Sequence, residues 1–166
     1  MVLVGACGDD PRLAHQATLR TTSYGISHIS AEGLEGLGFG QGYVVARDHG
    51  CTLAEQIIKV RGERARYLGP GERDRHLDSD FGYRALHVYD QARVGFAALS
   101  ADAQALYRGF AAGYNHYLAG SRAALPCADV GWLVPIARAA PSRLPWSSAA
   151  RNERTRFQSK WVFNIE

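Results

Sequence analysis

The sequence of 166 residues has no long hydrophobic run, few lysines and only three cysteines. No apolar stretch approaches the roughly 20 residues that a membrane-spanning helix needs. Only Lys59 and Lys160 are lysines among 19 basic residues, which face 16 acidic ones. Residues 1–136 carry a formal charge of −1 and residues 137–166 one of +4. Since the basic surplus lies in the C-terminal segment and forms no stripe in the main body, we predict no nucleic-acid partner.

Motifs for a dinucleotide or a zinc ion are also missing. In the glycine-rich stretch 34–48, no register gives the G-x-G-x-x-G spacing of a dinucleotide site. His28, His49, His87 and His116 lack the H-E-x-x-H or paired Cys/His spacing of zinc sites. We therefore predict no cofactor or metal site in this sequence and interpret these histidines as structural.

The glycine-rich stretch is instead predicted to form a helix with one face of small residues. Gly38, Gly42 and Ala46 lie four residues apart and so fall on the same side of a helix. Residues this small let the backbone of another element approach closely. Each glycine costs a helix about 1 kcal/mol relative to alanine. The helix therefore needs a tight tertiary contact to stabilise it.

Ahead of this helix, the pattern predicts a β-hairpin, which gives an α+β fold that is mainly helical. Residues 18–22 and 26–30 read as two short strands, with Gly25 available for a positive φ in the turn between them. Ser30 is then placed to cap the first helix. A polar segment before the hairpin is predicted to be flexible.

Glycines and charged segments divide the helical part of the chain. We expect the first helix to break or kink at His49 and Gly50 and to end at Gly62, and residues 63–76 to form a charged loop. An apolar stripe predicts one continuous helix over 77–99, and Ser100 is placed to cap the helix after it. The stripe consists of Leu77, Phe81, Ala85, Val88, Ala92, Phe96 and Leu99.

Five ordered blocks resemble the beginning of the penicillin acylase family of amide hydrolases. They are residues 19–29 (LRTTSYGISHI), 40–48 (GQGYVVARD), 61–67 (RGERARY), 98–102 (ALSAD) and 109–115 (GFAAGYN). Ser27 stands where the family usually has proline. The resemblance covers residues 17–136, and it is specific because several blocks occur in order at spacings similar to those of the family.

The resemblance implies that this chain is the N-terminal part of a small (alpha) subunit. Enzymes of the family that this chain resembles are made as one precursor that cleaves itself. The larger subunit then begins with a nucleophilic serine. The α-amine of that serine acts as the base, because a free α-amine titrates near neutral pH. Both subunits together form a four-layer αββα N-terminal-nucleophile fold. Some members hold calcium, through a region outside this resemblance, so we expect no cofactor here.

The function implied by the resemblance is that of a fragment of an exported N-acyl amide hydrolase. Its substrates would be penicillin-like amides, N-acyl homoserine lactones or lipopeptides, and its partner the larger acylase subunit. Without that subunit, the stripe of 77–99 would be exposed. No catalytic residue is assigned to this chain: Cys51 and Ser121 follow glycines, as at a cleavage site, but neither precedes a strand. The alternative is a non-catalytic remnant or binding module derived from such an enzyme.

The cysteines bear on localisation. Cys7 ends the sequence Val4-Gly5-Ala6-Cys7, which is similar to a bacterial lipoprotein cleavage box and makes Cys7 a candidate lipid anchor, unless it lies in a flexible terminus by chance. Cys51 and Cys127 then remain as a pair. In an extracytoplasmic protein, whether secreted, periplasmic or anchored at the cell surface, such a pair predicts a disulfide. The competing interpretation is two buried free thiols.

These observations divide the chain into three parts. Residues 1–16 are interpreted as a signal or lipobox remnant and flexible N-terminus, and 17–136 as the acylase-like domain. Residues 137–166 are interpreted as a divergent basic tail, which arises either from a truncation or change of reading frame or as a real but divergent ending with a short strand at residues 161–163. Within the domain, Tyr114 and Asn115 either face an acyl pocket or subunit contact, or pack in the core. Arg47 and Asp48 form either a buried ion pair or a solvated helix end.

Overall fold

A computed structural model describes residues 2–4 and 15–136 of the chain. The strands are β1 (Val2–Val4), β2 (Ala17–Thr21) and β3 (Ser27–Ser30), and the α-helices are α1 (Leu34–Val60), α2 (Arg64–Leu68), α3 (Arg75–Ala85), α4 (Val88–Phe96) and α5 (Ala101–Ser121). Short 3₁₀ helices lie at Glu72–Asp74 and Arg122–Ala124. The prediction of a mainly helical chain with an N-terminal hairpin is thereby confirmed.

The three strands form an antiparallel sheet in the order β1-β2-β3. The predicted hairpin is β2 and β3, and its register runs from the pair Thr18–Ser30 to the pair Thr21–Ser27. In the turn, Gly25 has a φ of 83°. β1 differs from expectation, because the sequence predicts a flexible terminus and the structure pairs residues 2–4 with β2.

The first helix begins later than predicted. Ser30 is the last residue of β3, where it pairs with Thr18, so the prediction that it caps the helix is wrong. α1 begins at Leu34 after Gly33, and no side chain from the described residues caps it. The sequence signal for a cap misled because the backbone of Ser30 is already engaged in the sheet.

The glycine face of α1 packs directly on α5, as the small-residue spacing predicts. A Cβ added at Gly38 or Gly42 would meet the carbonyl oxygen of Leu106 or Phe110, well under the 3.0 Å below which real Cβ contacts are essentially never found. The contact is reciprocal, because a Cβ at Gly109 or Gly113 of α5 would meet a carbonyl oxygen of α1 at the same short range. The two helices therefore touch backbone to backbone over two turns of each.

The predicted kink and end of α1 are both confirmed. His49 has non-helical angles of φ −136° and ψ 22° inside the helix. At the C-terminus, Gly62 has a φ of 65°. Its N–H donates to the carbonyl of Lys59, and the N–H of Glu63 donates to that of Ile58. This pair of bonds is a Schellman cap, which satisfies carbonyls that the end of the helix leaves free.

The predicted charged loop contains a short helix that a distant residue stabilises. The carboxylate of Asp80, on α3, accepts hydrogen bonds from the N–H groups of Arg64 at 2.9 Å and Ala65 at 2.8 Å. Asp80 is only 8% exposed. It thus caps the first turn of α2 from 15 residues away. The loop prediction for 63–76 is wrong at α2 because this cap is a tertiary contact, which the local charge pattern does not reveal.

The predicted continuous helix over 77–99 is broken into α3 and α4. The break is at His87, whose φ of 50° lies in the left-handed region, which opposes continuation of an α-helix. The side-chain amide of Gln91 donates to the carbonyl of Leu86, 2.8 Å away, and so satisfies a free carbonyl at the end of α3. The apolar periodicity thus continues across a change of helix direction.

The core lies between α1, α5 and the segment after α5. Ser100 caps α5 as predicted, its hydroxyl accepting a hydrogen bond from the N–H of Ala103. Leu133, in the segment after α5, is 1% exposed there. The core cluster comprises Ala46, Ala54, Tyr114, Tyr117, Leu118, Leu125 and Leu133. The buried core therefore lies where α1, α5 and the segment after α5 meet, whereas α4 has no buried residue.

Candidate functional site

The strongest candidate for a functional surface is the apolar face of α3 and α4. Phe81 of the predicted stripe is 76% exposed, and Leu86 and Val94, which lie outside that stripe, are 67% and 68% exposed. Leu77 and Leu99 are also exposed. We call these five side chains the α3–α4 surface. All five lie within residues 77–99, and a large contiguous patch of exposed apolar side chains is typical of a protein interface.

Within the last described segment, residues 122–136, one arginine holds the turns of the backbone together. The Arg122 guanidinium donates to the carbonyl oxygens of Ala128 at 2.8 Å, Leu133 at 2.7 Å and Val130 at 3.0 Å. Three charge-assisted bonds to backbone oxygens define the path of a segment that has little regular structure of its own. No sequence motif points to this role of Arg122, because all three acceptors are backbone atoms.

Asn115 fixes the end of the same segment. Its side-chain oxygen accepts from the N–H of Ile136 at 2.8 Å, and its amide donates to the Ile136 carbonyl at 2.9 Å. The amide thus pairs with both backbone groups of one residue. Asn115 therefore fixes the position of Ile136 relative to α5.

Tyr114 lies in the core, the second of the two placements considered for it. Its side chain is fully buried, and its hydroxyl is 3.5 Å from the carbonyl oxygen of Val134. Burial raises the pKa of Tyr114 to about 12. A phenol held neutral in this way suits packing and hydrogen bonding rather than proton transfer near neutral pH.

Arg47 and Asp48 form an ion pair that is only partly exposed. Two guanidinium nitrogens of Arg47 donate to the two carboxylate oxygens of Asp48 at 2.6 and 2.9 Å. Arg47 also donates to the hydroxyl of Ser27 at 3.0 Å, which ties α1 to β3. The hydrogen bond from Arg47 lowers the pKa of Asp48, and the same bond raises the pKa of Arg47. The side chains are 34% and 35% exposed, which lies between the two predicted alternatives.

Cys51 and Cys127 are joined by a disulfide, with Cα atoms 5.8 Å apart. The bond connects the second half of α1 to the segment that Arg122 holds. Cys51 lies inside a helix and Ser121 ends one, so neither precedes a strand in the way that a self-cleavage site would. Cys7 and residues 137–166, with their predicted lipidation and divergent tail, lie outside the described residues.

The four histidines considered above as candidate ligands do not form a common site. His28 and His49 are exposed, as is His87, which lies 3.7 Å from Asp90. His116 packs near the rings of Phe39 and Tyr43. Within 2–4 and 15–136, no three His, Cys, Asp or Glu side chains cluster as metal ligands would. In the same ranges, no helix combines the length and apolar character needed to cross a membrane.

Comparisons with known proteins agree on one family. The family model for penicillin amidase matches residues 16–155, and so continues beyond residue 136, where the motif resemblance ends. Acyl-homoserine lactone acylase PvdQ of Pseudomonas fluorescens is 41% identical over 117 residues, which are 68% of this chain and 15% of that protein. Aculeacin-A acylase of Actinoplanes utahensis is 33% identical over 157 residues, 88% of this chain and 20% of that protein.

A solved structure shares the fold. The thermostable penicillin G acylase of Alcaligenes faecalis superimposes with a TM-score of 0.59 and 33% sequence identity, over 66% of this chain and 58% of that one. The chain thus spans about a sixth to a fifth of the length of the curated relatives that it matches.

Proposed function

Because the chain belongs to the penicillin amidase family, we propose that it is the small-subunit part of an N-acyl amide hydrolase whose nucleophile lies on a second subunit. The relatives named above are acylases, which supports hydrolysis of linear amide C–N bonds as the reaction. The aligned region is only 15–20% of each of these relatives, so most of such an enzyme would be a separate polypeptide or domain.

The observation that carries this proposal is the combination of a complete core with an unpartnered face. α1 and α5 are packed backbone to backbone, while α4 buries none of its nine residues. In an assembled enzyme, we propose that the larger subunit covers the α3–α4 surface. The candidate substrates are N-acyl homoserine lactones and penicillin-like amides, which are of the types named in the relatives, and lipopeptides.

A chimera tests the role of this segment. Residues 17–136 should replace the aligned segment of the Pseudomonas fluorescens acylase with retention of acyl release, because the packing that positions the segment is internal to it. Release of fatty acid from an N-acyl homoserine lactone would be measured, beside this chain alone, which should release none. The matched control is the same chimera with Gly42→Val, which disrupts the α1–α5 contact.

The outcomes separate the two candidate roles. Activity in the chimera, with none in the control, supports the small-subunit role. A chimera that folds and assembles but releases no acyl group would instead indicate a non-catalytic remnant or binding module. Acyl release by this chain alone would contradict the assignment of the nucleophile to a second subunit.

We also propose that the protein is extracytoplasmic and that Cys7 carries a lipid. The Cys51–Cys127 disulfide supports an oxidising compartment, since such bonds form and persist outside the cytoplasm. In a bacterial host, radiolabelled palmitate should label the protein and should not label the Cys7→Ala variant. The Cys127→Ala variant is the matched control, which should still be labelled. Equal labelling of wild type and Cys7→Ala would exclude Cys7 as the anchor.

A further inference from the structure

A cavity of about 290 Å³ lies between the end of α1 and the break between α3 and α4. Its polar and aromatic lining consists of Arg61, Tyr83, Arg84, His87, Tyr89 and Asp90. Its volume is at the lower end of the range for small-molecule pockets. The cavity therefore has room for a small ligand formed around one ring.

Two backbone features of the fold build this cavity. His87, with its φ of 50°, turns the chain so that α4 begins beside the end of α1 and the ring of Tyr89 lies 5.5 Å from the Arg61 guanidinium. On the other side, Gly62 lets Arg84 approach, because a Cβ there would be 2.7 Å from the Arg84 Cγ. A strained non-glycine residue held in place beside a cavity is a feature that often marks a functional site.

The charges around the cavity favour an anion. Arg84 uses its Nε to donate to the carbonyl of Gly62 at 2.8 Å, which fixes the guanidinium at the cavity. Lys59 lies 5.9 Å from the centre of the Tyr83 ring and adds a further positive charge. The single carboxylate in the lining, Asp90, has a nearby partner in His87 at 3.7 Å. The three cations thus outnumber the one acid.

Arg61 lines the cavity, and its guanidinium is only partly engaged by the rest of the protein. Its Nε is buried and has no hydrogen-bond acceptor within the described residues. A buried donor without an acceptor is unfavourable. A guanidinium presents donors in a planar fork that matches a carboxylate, and its face already lies near an aromatic ring.

From this geometry, we propose that the cavity binds a small aromatic carboxylate. The carboxylate pairs with the guanidinium of Arg61, with Arg84 as a second cation, and the aromatic ring of the ligand packs against Tyr83 and Tyr89. The proposed binding uses only residues of this chain, so it requires neither a second subunit nor acylase activity.

Benzoate and its uncharged isostere benzamide test the proposal on the whole chain at constant ionic strength. Titration followed by ¹H–¹⁵N NMR should show saturable shifts at residues 61, 83 and 89 with benzoate, with a dissociation constant on the order of 1 mM. Benzamide should bind at least tenfold more weakly, because it lacks the charge that the cavity recognises.

The variant Arg61→Gln should weaken benzoate binding at least tenfold. Arg66→Gln is the matched control, since Arg66 also lies over a tyrosine ring, at 5.3 Å, but does not line the cavity. Dispersed NMR spectra would show that both variants fold. Equal affinity for benzoate and benzamide overturns the proposal, as does unchanged benzoate binding in Arg61→Gln. Should that variant fail to fold, the comparison of the two ligands on the wild type still decides.

Discussion

Replacing Gly113 by alanine is expected to destabilise the protein by at least about 3 kcal/mol, while the same change at Gly120, in the same helix, stabilises it slightly. At Gly113, the added methyl group would overlap the carbonyl of Phe39 on α1, and both atoms belong to rigid helices. The helices must separate to accommodate it, which costs packing along the whole contact. At Gly120, a Cβ meets nothing within 4 Å.

The two variants are expected to change the free energy of unfolding in opposite directions, which makes their comparison decisive. Alanine is favoured over glycine in a helix interior by about 1 kcal/mol, so both variants gain the same type of propensity, although less near a helix end. Only the tertiary contact differs between them. Urea denaturation followed by circular dichroism at 222 nm would measure both free energies of unfolding. If Gly113→Ala were as stable as Gly120→Ala, the close α1–α5 contact would be refuted.

Loss of the Cys51–Cys127 bond is expected to lower the free energy of unfolding by about 4.5 kcal/mol. The bond joins residues 76 apart in sequence, and the chain-entropy relation gives this value for a loop of that length. Since domains are stabilised by only about 5–15 kcal/mol in total, the double variant Cys51→Ala/Cys127→Ala should be close to unfolding at 37 °C.

Thermal melts of the oxidised and reduced wild type, beside the double alanine variant, would measure this effect. The reduced protein and the variant should melt at similar temperatures, both well below the oxidised protein. Cys7→Ala is the control, and its melt should still respond to reductant. A melting temperature that reductant leaves unchanged would show that the two thiols are free in solution.

The parts of the fold that follow from local pattern were predicted well. The hairpin, the kink at His49, the end of α1 at Gly62 and the cap at Ser100 all depend on interactions within a few residues. The small face of Gly38 and Gly42 also indicated a close helix contact. The glycine face of α5 that contacts α1 follows the same spacing rule, because Gly109 precedes Gly113 by four residues, but Gly109 was not identified as part of it.

Errors arose where a distant residue competes with the local signal. Ser30 has the side chain of a helix cap, but pairing with Thr18 places it in a strand. The apolar period of 77–99 continues through the break, because period alone does not report that His87 has a positive φ. Asp80 caps α2 across 15 residues, and no local feature of 63–68 shows this.

The sequence by itself determined the family, the mainly helical fold and the close approach of α1, because ordered motifs, apolar periods and glycine spacing are properties of short segments. Only the tertiary structure decided that Arg122 holds three carbonyls, that Asn115 pairs with Ile136 and that Arg61 lines a cavity while its buried Nε has no acceptor among the described residues. In each case the side chain meets backbone atoms or an open space between elements. Backbone atoms and open space are not specified by any residue type, so the sequence alone does not reveal these contacts.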